Sequence, residues 1–126
     1  MRNFYIILIF ILTSTSCYAK HLHREAVYQE AWCKKHNGIL EYQLNDKARV
    51  DCLTKKYAVE VDFAQKWAEC IGQSLYYGIS TKRKPAALLI MENGEKDIKY
   101  LKRLQKVAKK HRIKVFIITP QDLTTD

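Results

Sequence analysis

With 126 residues, 48% of them apolar, and no repeat, linker or second hydrophobic block, the chain has room for one modest core and excludes a multidomain architecture. Its 22 lysines and arginines outnumber 13 acids, a formal charge of +9. That balance favours an acidic partner such as nucleic acid or an anionic surface. Arg2 is followed by an apolar run from Phe4 to Leu12 and then by a small, polar stretch ending at Ala19. This is the three-part pattern of a secretory signal, with cleavage expected before Lys20. The run is too short to serve as a mature transmembrane helix. A lipoprotein signal would instead make Cys17 the first mature residue, but Ser14 stands where that signal carries an aliphatic side chain. Removing residues 1–19 takes away Arg2 alone among the charged residues, so 21 basic and 13 acidic side chains remain and the charge falls from +9 to +8. The pattern predicts a periplasmic or secreted protein whose residues 20–126 form a single domain.

His21 to His36 reads as a first helix, ended by Asn37-Gly38. Ile39 to Gln43 alternates as a strand, and Asn45-Asp46 marks a turn. Arg49 to Tyr77 then reads as strand, tight turn, strand and helix. Strand side chains alternate faces, so Glu60 and Asp62 share one face while Val59 and Val61 point into a core on the other. A hairpin about Lys55 and Lys56 brings Asp51 beside Glu60. Carboxylates gathered this way repel unless a cation lies between them, and hard oxygen donors suit Mg²⁺ or Mn²⁺. Lys66, Gln73 and Tyr77 fall at offsets of seven and four, a polar stripe where a packed helix is normally apolar. Asp62 directly precedes that helix and reads equally as its N-cap.

Gly78 to Pro85 reads as a basic loop whose Lys82, Arg83 and Lys84 suit either phosphate contact or plain solvation. Ala86 to Met91 is a continuous apolar run, as in a strand covered on both faces. Lys96 to His111 is an amphipathic helix with Ile98, Leu101, Leu104, Val107 and Ala108 inward and a lysine-rich outer face. Ile113 to Thr119 is a last strand, ended by Pro120. The element order is α-β-β-β-α-β-α-β, an α/β domain with a mixed central sheet flanked by helices.

An exported chain meets an oxidising compartment. Cys52 faces away from Asp51, and Cys33 lies on the helix expected to cover that side, so a Cys33–Cys52 disulfide is expected. Cys70 reads as a small core residue. Zinc is disfavoured, because no second pair with suitable spacing joins Cys33 and His36 to make four ligands. A Cys/His hydrolase is disfavoured too, because no motif presents a nucleophile.

Asp51, then Glu60-Val61-Asp62, then a helix carrying Gln73-Ser74-Leu75-Tyr76-Tyr77, resembles the PD-(D/E)XK nuclease superfamily and its branch with a Q-x-x-x-Y helix. The resemblance implies a restriction-endonuclease-like fold and metal-dependent hydrolysis of phosphodiester bonds in DNA or RNA. It implies Asp51 and Glu60 as ligands of Mg²⁺ or Mn²⁺, with an acid from the first helix, Glu30, assisting. It also implies Gln73 and Tyr77 as groups that orient the site or the phosphate backbone. One position departs: the family's lysine, two residues after the acid, is Asp62 here, and Lys66 stands one helical turn further on as a migrated equivalent. The alternative is a domain that has lost catalysis and serves as a nucleic-acid- or protein-binding module in the periplasm.

Overall fold

The computed structural model describes residues 20–124; the expected signal at residues 1–19, and Cys17 within it, lie outside the described residues. The order of elements is α1 (Glu25–Lys35), β1 (Ile39–Gln43), β2 (Arg49–Leu53), β3 (Tyr57–Phe63), α2 (Trp67–Thr81), β4 (Lys84–Ile90), α3 (Glu95–His111) and β5 (Lys114–Ile118). Short 3₁₀ turns precede α2 at Ala64–Lys66 and close the fold at Pro120–Leu123. The five strands lie in one sheet in sequence order, β1-β2-β3-β4-β5. The first two pairings are antiparallel and the last two parallel. The parallel crossovers are the two long helices, as parallel neighbours require. The protein is therefore an α/β domain with a mixed sheet flanked by helices.

Period-two alternation divides the core. Val59, Val61 and Phe63 of β3 join Leu88 and Ile90 of β4 under α1, where Tyr28 and Trp32 complete the layer. Ala87 and Leu89 face the other way, onto Cys70 of α2 and Leu104 and Ala108 of α3. β4 is thus apolar on both sides, as its unbroken run requires. The α3 stripe is narrower than expected: Leu104 and Ala108 are buried, Leu101 and Val107 partly buried, and Ile98 is 38% exposed.

Two helix boundaries differ clearly from the sequence reading. α1 starts at Glu25, not His21, because residues 21–23 are drawn onto Glu92, just beyond β4. That carboxylate accepts bonds from the Tyr28 hydroxyl at 2.7 Å, from the Leu22 and His23 backbone N–H groups at 3.1 and 3.2 Å, and pairs with His21 Nδ1 at 2.8 Å. Burial pulls the Glu92 carboxyl upward, but these donors outweigh it and hold it below its usual range. α2 runs on to Thr81, so the expected loop from Gly78 to Pro85 shrinks to Lys82 and Arg83. Lys82 ends the helix in the left-handed region, at φ 55°. All five residues of β1 are exposed, since it is an edge strand, and Glu41 within it also takes a left-handed φ of 51°.

Cys33 is bonded to Cys52, tying the last turn of α1 to β2. Cys70 is a free, buried thiol whose pKa burial pushes up.

Candidate functional site

The two-residue turn at Lys55–Lys56 sets the β2–β3 register, pairing Cys52 with Val59 and Leu53 with Ala58. One step along, the backbone ladder gives way to a side chain. The Asp51 carboxylate, rather than a strand carbonyl, accepts the Val61 N–H at 2.7 Å. Asp51 and Glu60 are hydrogen-bonded through their side chains, and Asp62 follows on the same face of β3. Glu60 and Asp62 are each only 5% exposed, and Glu60 Oε2 and Asp62 Oδ2 are buried without a hydrogen-bond partner among the described residues. Leaving such an oxygen unsatisfied is costly, more so when it is charged.

The electrostatics follow from this crowding. Burial, the charge of Asp51 and the hydrogen bond to it push Glu60 far above the usual carboxylate range, with Asp62 and Glu25 adding to the rise. The rise favours the neutral form of Glu60 beside Asp51. Asp51 is itself raised by burial, against the lowering effect of the Val61 N–H and the Glu60 bond. Asp62 is pushed up to about 7, by burial first and Glu25 second, while Lys66 opposes the rise. These are like charges that cannot all ionise in a dry place.

The α1 acid of this group is Glu25. Burial and the charge of Asp51 raise its pKa, and Lys66 lowers it. Glu30, the residue implied by the resemblance, is exposed on α1. The correction follows from helical phase: Glu25 and the buried Gln29, four residues apart, share a face towards the sheet, and Glu30 falls outside it. Gln29, one turn on, is buried and donates from Nε2 to the Asp51 carbonyl and to Glu41 Oε1, both at 2.8 Å. Neither Gln29 nor Glu41 carried a signal readable in the sequence: Gln29 sits among helix polars, and the positive φ at Glu41 comes from the edge strand.

Lys66 is exposed and ends the 3₁₀ turn ahead of α2, so it is not on a continuous helical stripe with Gln73. It reaches the cluster through its charge on Asp62 and Glu25. Gln73 is exposed, while Tyr77 is buried and donates its hydroxyl to Gln73 Oε1 at 3.4 Å. Burial and the charges of Glu60, Asp51, Glu41 and Asp62 raise the Tyr77 phenol. Asp62 is no N-cap: it lies within β3, and the 3₁₀ turn and α2 both start without a side-chain cap.

Lys82, Arg83 and Lys84 are exposed but stand at the other end of β3. Lys84 pairs with Tyr57, the first residue of that strand, and the Arg83 guanidinium donates to the Lys55 carbonyl. Along a strand, Tyr57 and Glu60 are separated by roughly 10 Å. Any phosphate held there belongs to a part of a ligand remote from the carboxylates.

Among the described residues, no three His, Cys, Asp or Glu side chains form a ready-made cation cage. One hollow, of about 410 Å³, lies between the β1–β2 turn and the end of α2, lined by Tyr42, Asp46, Tyr76 and Arg83 among others. Asp51, Glu60, Asp62 and Glu25 do not line it. No helix among the described residues is long and apolar enough to cross a membrane.

No protein-family model matches the chain, and no solved structure does. Among curated proteins, a KilA-N domain-containing protein of Acanthamoeba polyphaga mimivirus is 27% identical over 82 residues, 65% of this chain. The chain spans 23% of that relative's length.

Proposed function

We propose that the protein is an exported, metal-dependent nuclease of the PD-(D/E)XK type, with a restriction-endonuclease-like fold. One observation carries the reading: Asp51, Glu60 and Asp62 crowd together with two buried oxygens left without partners. An all-oxygen set with unsatisfied lone pairs suits a hard cation, and Mg²⁺ needs only one or two carboxylates beside its waters. Asp51 and Glu60 would hold it, with Asp62 and Glu25 close by. When bound, such an ion supplies charge neutralisation at a phosphoryl oxygen and acidifies water. The chain's own residues do the rest. Asp51, fixed by the Val61 N–H, keeps a preset orientation. Lys66 brings positive charge to the rim, where it can stabilise charge developing on phosphate. Tyr77 anchors Gln73, which orients the phosphate backbone from the exposed face of α2. The N-terminal pattern and the disulfide support export.

A second reading has its own observation: Asp62 occupies the place of the family lysine, and Lys66 is solvent-exposed. A domain so altered would bind nucleic acid without cutting it. The purified protein, incubated with single-stranded DNA, duplex DNA and RNA in Mg²⁺, Mn²⁺ or chelator, separates the two. The nuclease reading expects cleavage of at least one substrate with metal and none with chelator. Binding that is lost as salt rises, with no cleavage in any metal, selects the binding module.

A further inference from the structure

A second hollow, of about 360 Å³, opens beneath the C-terminal end of α1, against the β2–β3 turn and the start of β5. Its wall is aromatic. The Trp32 and His36 rings are stacked at 3.8 Å, Phe116 lies 5.0 Å from Trp32, and Tyr57 meets Phe116 edge-on at 5.5 Å. Its rim is cationic. Lys56 Nζ rests 5.3 Å from the Tyr57 ring centre and Lys114 Nζ 5.5 Å from that of Phe116. The two ammonium groups therefore occupy the ring faces themselves. Lys84, paired with Tyr57 along the strand, continues the same basic edge.

Aromatic faces covered by mobile cations match one ligand chemistry: a planar ring that replaces the ammonium on the aromatic face, joined to an anion that then receives it. We propose that this pocket takes a nucleotide unit of a single-stranded nucleic acid, its base stacked on the Phe116 face that Lys114 covers, with Tyr57 and Trp32 flanking it, and its phosphate held by Lys56 and Lys114. In a duplex the base faces are already stacked, so the pocket selects strands whose bases are free. The inference rests on the nucleic-acid reading above but not on catalysis. The pocket and the carboxylates stand at opposite ends of β3.

The test is binding, read by fluorescence anisotropy in chelator so that no turnover intervenes. The probes are a labelled oligothymidylate, an abasic strand of equal length and free thymidine monophosphate. The expected result is oligothymidylate binding roughly tenfold tighter than the abasic strand, a preference lost in Phe116→Leu. Should Phe116→Leu fail to fold, Lys56→Ala/Lys114→Ala carries the test: its log–log salt dependence should flatten by about 0.7 for each phosphate contact removed. Equal affinity for the oligothymidylate and the abasic strand overturns base stacking. A salt dependence unchanged in the double lysine variant overturns the phosphate assignment. Thymidine monophosphate binding as tightly as the oligomer overturns the strand and leaves a free nucleotide as the ligand. Loss of cleavage elsewhere leaves all three measurements unaffected.

Discussion

Asp51→Asn is expected to abolish metal-dependent cleavage while leaving the protein folded. The substitution keeps the shape and an acceptor oxygen for the Val61 N–H, so the end of the β2–β3 ladder stays capped. It removes the charge that lies beside Glu60 and would face the cation. Disturbing groups behind a metal ligand costs about 10–100-fold in affinity or activity, so loss of a ligand's charge should exceed about 100-fold. Lys66→Ala is expected to differ in kind. Metal should still bind, because lysine is no ligand, but turnover should fall by about 10²–10³ for loss of an electrostatic donor. Asp62→Asn probes the departure from the family pattern. With no capping role to lose, the variant should fold as well as the parent, and any fall in rate reports on the site. Steady-state cleavage with a parallel thermal melt reads all three. Unchanged activity in both Asp51→Asn and Lys66→Ala would place the chemistry elsewhere.

Removing the Cys33–Cys52 bond is expected to cost about 2–4 kcal/mol, the usual worth of a bridge closing a loop of this order. The bridge spans a sequence separation of 19 and links α1, which carries Glu25 and Gln29, to β2, which carries Asp51. Gly38 belongs to the same unit. A Cβ there would lie 2.3 Å from Cys52 Sγ and 2.7 Å from Cys33 Sγ, inside contact distance of both sulfurs. Gly38→Ala should therefore lower the melting temperature of the oxidised protein and cost less once both cysteines are serine. Denaturant titrations of the four proteins form a double-mutant cycle. Equal penalties for Gly38→Ala in both backgrounds would show that the bridge does not set the cost.

Much of this arrangement is written in local patterns. A two-residue turn between alternating strands fixes register, and register is what puts Asp51 beside Glu60. The unbroken apolar run of β4 announces a strand covered on both sides. What escaped the sequence depended on contacts distant along the chain. Glu92 gathers residues 21–23 from some seventy positions away, which shortens α1, and the buried face of that helix carries Glu25 and Gln29 rather than Glu30. Asp62 before a helix has the sequence of an N-cap, but β3 extends to Phe63 and buries it. Lys82 to Lys84 read as part of a basic loop because the helical pattern is legible only to Tyr77, whereas α2 runs on to Thr81. Its last turn carries them to the opposite end of the sheet.

The central claim, that the carboxylate cluster is a cation site, carries a pH signature. The Asp62 pKa rises on folding from 3.8 to about 7, and Glu60 is raised as well. In chelator, the folded state thus holds protons that the unfolded state has released. Stability is full below the unfolded values and declines as pH climbs from about 4 towards 7 and beyond. A divalent ion needs these groups ionised, so its affinity must increase over that same window and its binding must release protons. The deciding measurement is the melting temperature with and without millimolar Mg²⁺ or Mn²⁺ at pH 5 and pH 8, for the parent and for Asp51→Asn. A large metal-induced rise at pH 8, little at pH 5 and a much smaller one in Asp51→Asn is the predicted result. A shift of equal size at both pH values, or one that survives Asp51→Asn, or none at either pH, would contradict the assignment.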